Sequence, residues 1–291
     1  MKELKKRSEP RSFMDKQNSS RLLRKSLGMN PDSLIGVNNR SKIAIYAAKK
    51  AGKMLAENFQ KKTKVSTKKD GSLVTQFDLK SEKIIIDIIK KRFPTDNILS
   101  EESDNLNFNS NFTWIIDPID GTHNYIRNIE IFGVSIGIQY KEEIVAGVIF
   151  IPLTNELYTT EKGKGAFKNG KRLKVSNKDL KNSTMIYDST IKLAPKKMSK
   201  ALKKLSLKTF NLRMLGSTVR SLTYIAEGKA EIEIEFNDKI WDFAAGMLLV
   251  REAGGIFTDF KGDKNLRVKQ TYIASNKKVY KEALKILENL G

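Results

Sequence analysis

The stretch WIIDPIDGTHNY, residues 114–125, ends an apolar run with two aspartates in one turn. The run WII predicts a buried strand, and Asp117 ends it abruptly. Pro118 restricts the turn and removes a backbone donor, and Asp120 follows two positions later. Burying two carboxylates side by side is unfavourable unless they bind a ligand. The stretch therefore predicts a functional site at a strand end rather than an ordinary turn.

Acidic residues follow apolar runs at three other places in the chain. They are Asp78 after LVTQF, Glu101 and Glu102 after NILS, and Asp242 after IW. Strand ends of an α/β sheet meet in one crevice, so we expect these side chains to converge there. Converging carboxylates raise one another's pKa, and divalent cations relieve their repulsion. Mg²⁺ prefers carboxylate and carbonyl oxygens, whereas one histidine and no cysteine argue against a zinc site.

Each of these acids, taken alone, also has a simpler interpretation. Asp78 and Asp242 stand just before predicted helices and fit N-caps. Glu101 and Glu102 fit solvated loop charges. The functional interpretation therefore rests on the opening stretch, in which an apolar strand leads directly into the Asp-Pro-Ile-Asp turn.

The residues after Asp120 suit a phosphate group. Gly121 lets the backbone approach an anion closely, and the amides of Gly121 and Thr122 would hold it at a helix start. His123 is the only histidine of the chain, and we predict a packing or pocket-rim role for it.

The composition is that of a soluble globular protein, with 40% hydrophobic and 30% charged residues among 291. No run approaches roughly 20 apolar residues, so we expect no membrane span. The absence of cysteine suits a cytoplasmic location. The formal net charge of +21 is spread along the chain and would steer phosphorylated substrates. Nucleic-acid binding is the alternative that this charge leaves open.

Three regions follow from the sequence. Residues 1–40 are rich in Lys, Arg, Ser and Asn and predict a basic, disordered N-terminal arm. Residues 41–180 predict an N-terminal α+β lobe that carries most of the metal ligands. Residues 181–291 predict a C-terminal α/β lobe that completes the metal site and the substrate pocket. The predicted fold class is α/β, with α+β layers in one compact unit.

The predicted elements agree with this layered class. Helices are predicted over residues 41–60 and 79–93, and a strand over residues 73–78. Asn169-Gly170 predicts a two-residue β-hairpin turn. Three short strands read as an antiparallel meander, over residues 131–140, 144–151 and 156–161.

Several stretches, in this order, make the chain similar to the inositol monophosphatase family, within the lithium-sensitive, magnesium-dependent phosphomonoesterase superfamily. They are LVTQFD (73–78), SEES (100–103), WIIDPIDGTHNY (114–125), GKGAFKNGKRL (163–173) and WDFAAGMLLVREAGG (241–255). The resemblance covers about residues 41–280. It implies an αβαβα sandwich, a homodimer, and hydrolysis of inositol-1-phosphate or a related sugar phosphate.

The resemblance also implies ligands for two Mg²⁺ ions and a weaker third one. These ligands would be Glu101, Asp117, Ile119 through its carbonyl, Asp120, Asp242 and, for the weaker ion, Asp78 with Glu101. A metal-activated water would attack the phosphorus, and Glu101 and the Thr122 hydroxyl would orient and deprotonate it. Asp78 would be hydrogen-bonded to Thr122, and no phosphoenzyme would form.

The implied substrate contacts lie on both sides of the opening stretch. They would be Asp120, Gly121, Thr122, Gly216, Ser217, Thr218, Glu235 and Asp242. Residues 216–218 resemble a Gly-Ser-Ala segment that lines the sugar or inositol pocket of the family. Glu235 stands where the family has a glutamate that contacts inositol hydroxyls, but an alternating strand charge is the other interpretation. Lys239 would contact a second phosphate or be exposed.

The sequence leaves other functions open. Within the superfamily they are fructose-1,6-bisphosphatase and adenosine 3′,5′-bisphosphate or NADP phosphatase activities. An aspartyl-phosphate phosphatase would use Asp117 as nucleophile, but that class spaces its aspartates two apart, and here Asp120 is three away. An RNA-associated role through the basic arm is the remaining alternative.

Overall fold

The computed structural model describes residues 31–265 and 269–288. Helix α1, Pro31–Asn58, begins ten residues before the predicted helix start. Val37 in these added turns is buried, and the Arg40 guanidinium lies 2.7 Å from the Asp96 carboxylate. The predicted disorder is therefore wrong for residues 31–40, because they belong to α1, and Val37 and Arg40 pack on the fold. Residues 1–30 lie outside the described residues.

A seven-stranded sheet carries the opening stretch. Its strands are β3 Asn97–Ser100, β4 Phe112–Asp120, β5 Gly133–Tyr140, β6 Glu143–Ile151, β7 Glu156–Glu161, β8 Gly165–Lys168 and β9 Lys171–Arg172, in that spatial order. β3 and β4 are parallel, and the later neighbours are antiparallel. The predicted meander is confirmed in β5, β6 and β7.

The predicted hairpin turn connects β8 to β9. Asn169 and Gly170 both have positive φ, at 47° and 79°, and Lys168 pairs with Lys171 across the turn. Two central residues with positive φ define a type I′ turn, whose twist matches that of the flanking strands. The Asn-Gly prediction is therefore confirmed.

A second, five-stranded sheet comes from the later part of the chain. Its strands, in spatial order, are β11 Asn211–Arg213, β10 Thr184–Tyr187, β12 Ile232–Lys239, β14 Lys269–Ser275 and β13 Ile256–Asp259. β10 runs parallel to both of its neighbours, and β14 is antiparallel to β12 and β13.

The α-helices form three layers. The α-helices after α1 are α2 Gln76–Arg92, the short α3 Thr122–Ile126, α4 Pro195–Ser206, α5 Thr218–Ala226, α6 Ile240–Glu252 and α7 Lys277–Glu288. α1 and α2 cover one face of the seven-stranded sheet, and α5 and α6 fill the space between the two sheets. α4 and α7 cover the outer face of the five-stranded sheet. The αβαβα order is that of the predicted sandwich, and the predicted fold is confirmed.

Helix α6 packs unusually close to the seven-stranded sheet. A Cβ atom added to Gly147 of β6 would lie 2.9 Å from the Cα and carbonyl oxygen of Ala245 in α6. This glycine therefore sets the distance between sheet and helix, which matters because α6 carries Asp242 in its first turn. None of the described helices is both long and apolar enough to cross a bilayer.

A small antiparallel hairpin precedes α2. Its strands are β1 Val65–Thr67 and β2 Leu73–Thr75, and residues 68–72 connect them. The predicted strand over residues 73–78 is too long, because α2 already begins at Gln76.

Candidate active site

The two aspartates of the opening stretch lie on either side of a β-bulge. Asp117 pairs with Ser135 of β5 and Asp120 pairs with Gly133, so β4 has one extra residue between these pairs. A bulge bends its strand and redirects side chains, and Pro118 has no amide to lose from the ladder. Both aspartates are buried. The turn therefore delivers two carboxylates to one edge of the sheet.

Three acidic side chains meet at this edge. Glu101, Asp117 and Asp242 each place one carboxylate oxygen within 4.8 Å of the others, and they form the single group of this kind among the described residues. Glu101 follows β3, and its amide donates to the Ile116 carbonyl at 3.2 Å. Asp242 is fixed in the first turn of α6, where it accepts from the Lys239 amide at 2.7 Å. The structure therefore brings these three acids together, as the sequence predicted.

Burial and mutual repulsion dominate the electrostatics of this group. Burial raises the pKa of Asp117 well above its usual range, and the charges of Glu101 and Asp120 raise it further. Burial also raises the pKa of Asp242, with a further contribution from Asp238 and Glu101. These carboxylates are therefore unfavourable as neighbouring anions without a cation.

The donor set fits a hard divalent cation. Mg²⁺ holds oxygens at roughly 2.1 Å, so ligands on opposite sides of one ion lie about 4.2 Å apart. The oxygens of Glu101, Asp117 and Asp242 all lie within 4.8 Å of one another, so one ion can be shared by the three carboxylates. The chain has no cysteine, and its one histidine, His123, is exposed.

Asp120 stands apart from this group of three. Its Oδ2 accepts from the amides of Thr218 and Val219 at 3.0 and 3.2 Å, and its Oδ1 accepts from the Ser217 hydroxyl. Two of these donors are amides in the first turn of α5, which favours a negative charge. Burial raises the pKa of Asp120 to about 7 despite these three hydrogen bonds.

Thr122 lies at the centre of the predicted catalytic residues. Its hydroxyl is 2.9 Å from Asp78 Oδ1 and 2.9 Å from the Ile119 carbonyl oxygen. Asp78 is not at a strand tip, as predicted, but in the first turn of α2, where Thr75 is the N-cap. The Thr75 amide and hydroxyl both donate to Asp78 Oδ2, at 2.8 and 2.6 Å. Burial raises the pKa of Asp78 and the charge of Glu101 adds to this, whereas the hydrogen bonds from Thr75 and Thr122 oppose the shift.

The turn at Gly121 requires glycine. Its φ is 84°, and an added Cβ atom would lie 2.8 Å from the Ile131 carbonyl oxygen. Thr122 then begins the short helix α3. Asn124, which the sequence did not single out, donates to the carbonyls of Ile131 and Leu215, at 2.8 Å each. Asn124 thereby ties the turn to the segment before α5.

The predicted pocket residues after position 215 have structural partners. Gly216 has a positive φ of 64°, and Ser217 is the N-cap of α5 besides binding Asp120. The Thr218 hydroxyl donates to Asp238 at 2.9 Å, and the Tyr272 hydroxyl donates to the same carboxylate oxygen at 3.0 Å. Burial raises the pKa of Asp238 to about 7. Asp238 was missed in the sequence, because nothing in FNDK marks a buried acid.

Glu235 is buried on β12, opposite Tyr272 of β14. The alternation of charged and apolar residues along this strand is present, but its glutamates are buried rather than solvated. Glu233 on the same strand and Glu231 immediately before it are fully buried too. Burial raises the pKa of Glu235 well above its usual range, and the charges of Asp238 and Asp188 add to this effect.

Lys68 is the site residue that the sequence gave least reason to expect, because KKDGS reads as a plain turn. Its Nζ atom lies 2.8 Å from Glu101 Oε1 and 2.7 Å from Glu102 Oε2. In the same turn, Asp70 Oδ2 lies 2.9 Å from the Nζ atom of Lys239. The ammonium group of Lys239 is therefore paired with a carboxylate. A contact with a second phosphate group would have to compete with Asp70 for this ammonium group.

The sequence and the fold resemble those of known proteins. The model of the inositol monophosphatase family matches residues 37–290. The protein named Nus factor SuhB from Escherichia coli K12 is 38% identical over 250 residues, which cover 83% of this chain and 93% of that protein. An inositol-1-monophosphatase from Mesorhizobium japonicum is 34% identical over 257 residues, covering 84% and 95%. The crystal structure of the extragenic suppressor protein suhB from Bartonella henselae superimposes with a TM-score of 0.82 at 34% identity, covering 85% and 98%.

Proposed function

Because the chain belongs to the inositol monophosphatase family, we propose that it is a Mg²⁺-dependent phosphomonoesterase. The observation that carries this proposal is the partly buried group of Glu101, Asp117 and Asp242, which each place one carboxylate oxygen within 4.8 Å of the others. A bound Mg²⁺ ion would lower the pKa of water and neutralise charge on the phosphoryl group. We propose two such ions, with the Ile119 carbonyl and Asp120 as further ligands.

Asp120 can act as a metal ligand although its carboxylate already accepts hydrogen bonds from Ser217 and from the first turn of α5. Each carboxylate oxygen accepts at two positions, and the bonds from Ser217, Thr218 and Val219 leave Asp120 Oδ1 with a second one. The α5 amides would then favour the ionised form of Asp120, against the effect of burial, and fix the orientation of its carboxylate. Ser217 and Thr218 thus support the site through Asp120.

Thr122 and Glu101 would position the attacking water. The Thr122 hydroxyl has one proton, and Asp78 Oδ1 at 2.9 Å is an acceptor for it. The hydroxyl oxygen then keeps a lone pair that can accept a hydrogen bond from the water. Asp78 is itself held by Thr75, so the orientation of the Thr122 hydroxyl is fixed before substrate binds. Preorganisation of this kind lowers the barrier without further rearrangement.

Substitution of Asp117 or Asp242 by asparagine tests the proposal. Asp117→Asn and Asp242→Asn should each reduce Mg²⁺-dependent phosphate release by about 100-fold or more, because each removes an anionic ligand. Phosphate release and circular dichroism would be measured together. Asp87→Asn is the matched control, since Asp87 is exposed on α2. Full activity in either site variant, with the fold retained, would contradict the two-metal assignment.

The preferred substrate is proposed to be inositol-1-phosphate or a related sugar phosphate. The buried Glu235 would line the pocket for the alcohol part of the substrate. Gly216, which is adjacent to Ser217 in the chain, would line the same pocket. A panel of inositol-1-phosphate, fructose-1,6-bisphosphate, NADP and adenosine 3′,5′-bisphosphate, with and without Li⁺, would rank the alternatives. A phosphoenzyme trapped at Asp117 would instead support the aspartyl-phosphate mechanism.

A second candidate function is partner binding, because a relative at 38% identity bears the name Nus factor. The net charge of +21 favours an anionic partner such as RNA. The Asp117→Asn variant separates the two functions. Salt-dependent RNA retention by this variant, without phosphatase activity, would support a binding role; no retention by the parent chain would contradict it.

Self-association into a homodimer is proposed as well, and its test is the molecular mass of the protein in solution.

A further inference from the structure

We propose that a cleft between α4 and α7 binds a small anion that carries several phosphate groups. The cleft lies on the outer face of the five-stranded sheet and has a volume of about 640 Å³. A volume of this size is within the range of pockets that bind small molecules. The inference is independent of the proposed phosphatase activity, because no proposed metal ligand or substrate contact is among the described residues that line the cleft.

The lining of the cleft is rich in cations. Four of the seven described residues that line it are lysines, whereas Lys and Arg together make up 54 of the 291 residues of the chain. These lysines are Lys196, Lys197 and Lys200 in α4 and Lys261 just after β13. Glu288 is the one acid among the described lining residues. The net positive charge attracts a polyanion into the cleft.

Three of these ammonium groups are not neutralised by the fold. None of the described carboxylates forms an ion pair with Lys196, Lys197 or Lys261, and all three lysines are exposed. The Lys197 ammonium lies 5.9 and 5.7 Å from the ring centroids of Phe236 and Phe260. Such contacts hold the ammonium group in place but leave its charge available to an anion.

Helix α4 begins at the cleft, and its N-terminus adds to the positive charge. No side chain caps this end of the helix. Its first turn contains Lys196 and Lys197 and no acidic residue. Cations at a helix N-terminus are unfavourable, because they stand beside the positive end of the helix dipole. A bound phosphate group would relieve this repulsion and would accept hydrogen bonds from the ammonium groups.

The five-stranded sheet separates the cleft from the proposed active site. On the outer face, the ring of Phe236 in β12 packs edge-to-face on Phe260, with centroids 5.2 Å apart. Successive side chains of a strand point to opposite faces, so Glu235 points away from the cleft. An anion in the cleft therefore does not occupy the space of the proposed substrate.

Binding of inorganic tripolyphosphate to the metal-free protein tests this inference. Without metal, the carboxylates of the proposed active site repel an anion, so the cleft alone should bind it. Isothermal titration in 0.15 M salt should show one tripolyphosphate per chain. Lys196→Met and Lys261→Met should each weaken binding by about tenfold, because each removes a cation beside the phosphate groups. Circular dichroism would verify that both variants are folded.

A control variant makes the test specific. Lys203→Met removes the same charge from the last turn of α4, at an exposed position that does not line the cleft. It should bind like the parent, because charges more than roughly 8 Å apart are largely screened at this ionic strength. The inference would be overturned if the parent did not bind tripolyphosphate, or if Lys203→Met weakened binding as much as Lys196→Met.

Two further probes identify the source of the phosphate groups. Tighter binding of adenosine triphosphate than of tripolyphosphate would support a nucleotide as the occupant, and equal affinity would support an inorganic polyphosphate. Retention of an RNA oligonucleotide without binding of tripolyphosphate would overturn the inference, because it would assign these lysines to a nucleic-acid backbone.

Discussion

Glu233 is a fully buried carboxylate on β12 that has no hydrogen-bond partner among the described residues. The hydroxyls of Ser221 and Tyr272 are nearby, but they donate to the Ser217 carbonyl and to Asp238. Burial raises the pKa of Glu233 well above its usual value of 4.5, and the charges of Asp238 and Asp120 add to this. The folded protein therefore holds a proton that the unfolded chain releases.

Glu233→Gln should stabilise the protein at neutral and alkaline pH. In the parent, the free energy of unfolding falls as pH rises above about 4.5, because only the unfolded state loses the Glu233 proton. The glutamine variant lacks this loss, so at pH 8 it should gain at least about 1.4 kcal/mol, the equivalent of one pKa unit. Urea unfolding between pH 4.5 and 8 measures the difference. The exposed Glu142→Gln is the control, and a gain that does not depend on pH would contradict the explanation.

At the scale of an element, the position of Asp242 depends on how α6 lies against the sheet. Gly147→Ala should push α6 outward, because the new methyl group would meet helix backbone at 2.9 Å. We expect a loss of about 1–3 kcal/mol in the free energy of unfolding, together with weaker metal binding. Gly137→Ala is the milder comparison, since its methyl group would meet the Ala244 methyl group at 3.1 Å. Equal effects of the two substitutions on metal affinity would refute this account.

Local patterns predicted elements well and long-range contacts poorly. The meander follows from alternating apolar residues, and the β8–β9 turn follows from Asn169-Gly170, because both signals are contained in a few neighbouring residues. The predicted strand is wrong for residues 76–78, because LVTQFD alternates like a strand but Thr75 and Asp78 form the capping box that begins α2.

The site residues also divide into those that a local pattern predicted and those that only long-range contacts reveal. Glu101, Asp117 and Asp242 were predicted because each follows an apolar run, and the structure brings them together. Lys68 and Asp238 were missed, because their partners Glu101 and Tyr272 are more than thirty residues away in the chain. The assignment of catalytic and ligand roles stays a prediction, as does the division into lobes at residue 180.

At the scale of the whole molecule, α1 is anchored to the site-bearing strand by a buried ion pair. Two Arg40 nitrogens donate to Asp96 at 2.7 Å, and the Trp114 indole donates to the same carboxylate at 2.8 Å. The Arg40 guanidinium also lies over the rings of Phe93 and Phe112, at 4.2 and 3.7 Å from their centroids. A buried carboxylate that loses such a partner is strongly destabilising.

A chain that begins at residue 41 should therefore be less stable than one that begins at residue 31. The shorter chain lacks Arg40, and we expect its free energy of unfolding to be lower by about 3 kcal/mol. Arg40→Met in the longer chain should reproduce most of this loss. Urea unfolding measures all three proteins, and equal stability of the two truncated chains would disprove the anchor. RNA retention by the N-terminal arm should accordingly be tested with the cut at residue 31.

The chain has two tryptophans, and each stands within three residues of a proposed metal ligand. Trp114 is fully buried three residues before Asp117. Trp241 immediately precedes Asp242, is partly exposed, and has the Lys239 ammonium 5.2 Å from its ring centroid. The protein thus contains its own optical reporter: metal that binds Asp242 changes the charge beside the Trp241 indole, and emission at that residue can follow the titration without any label.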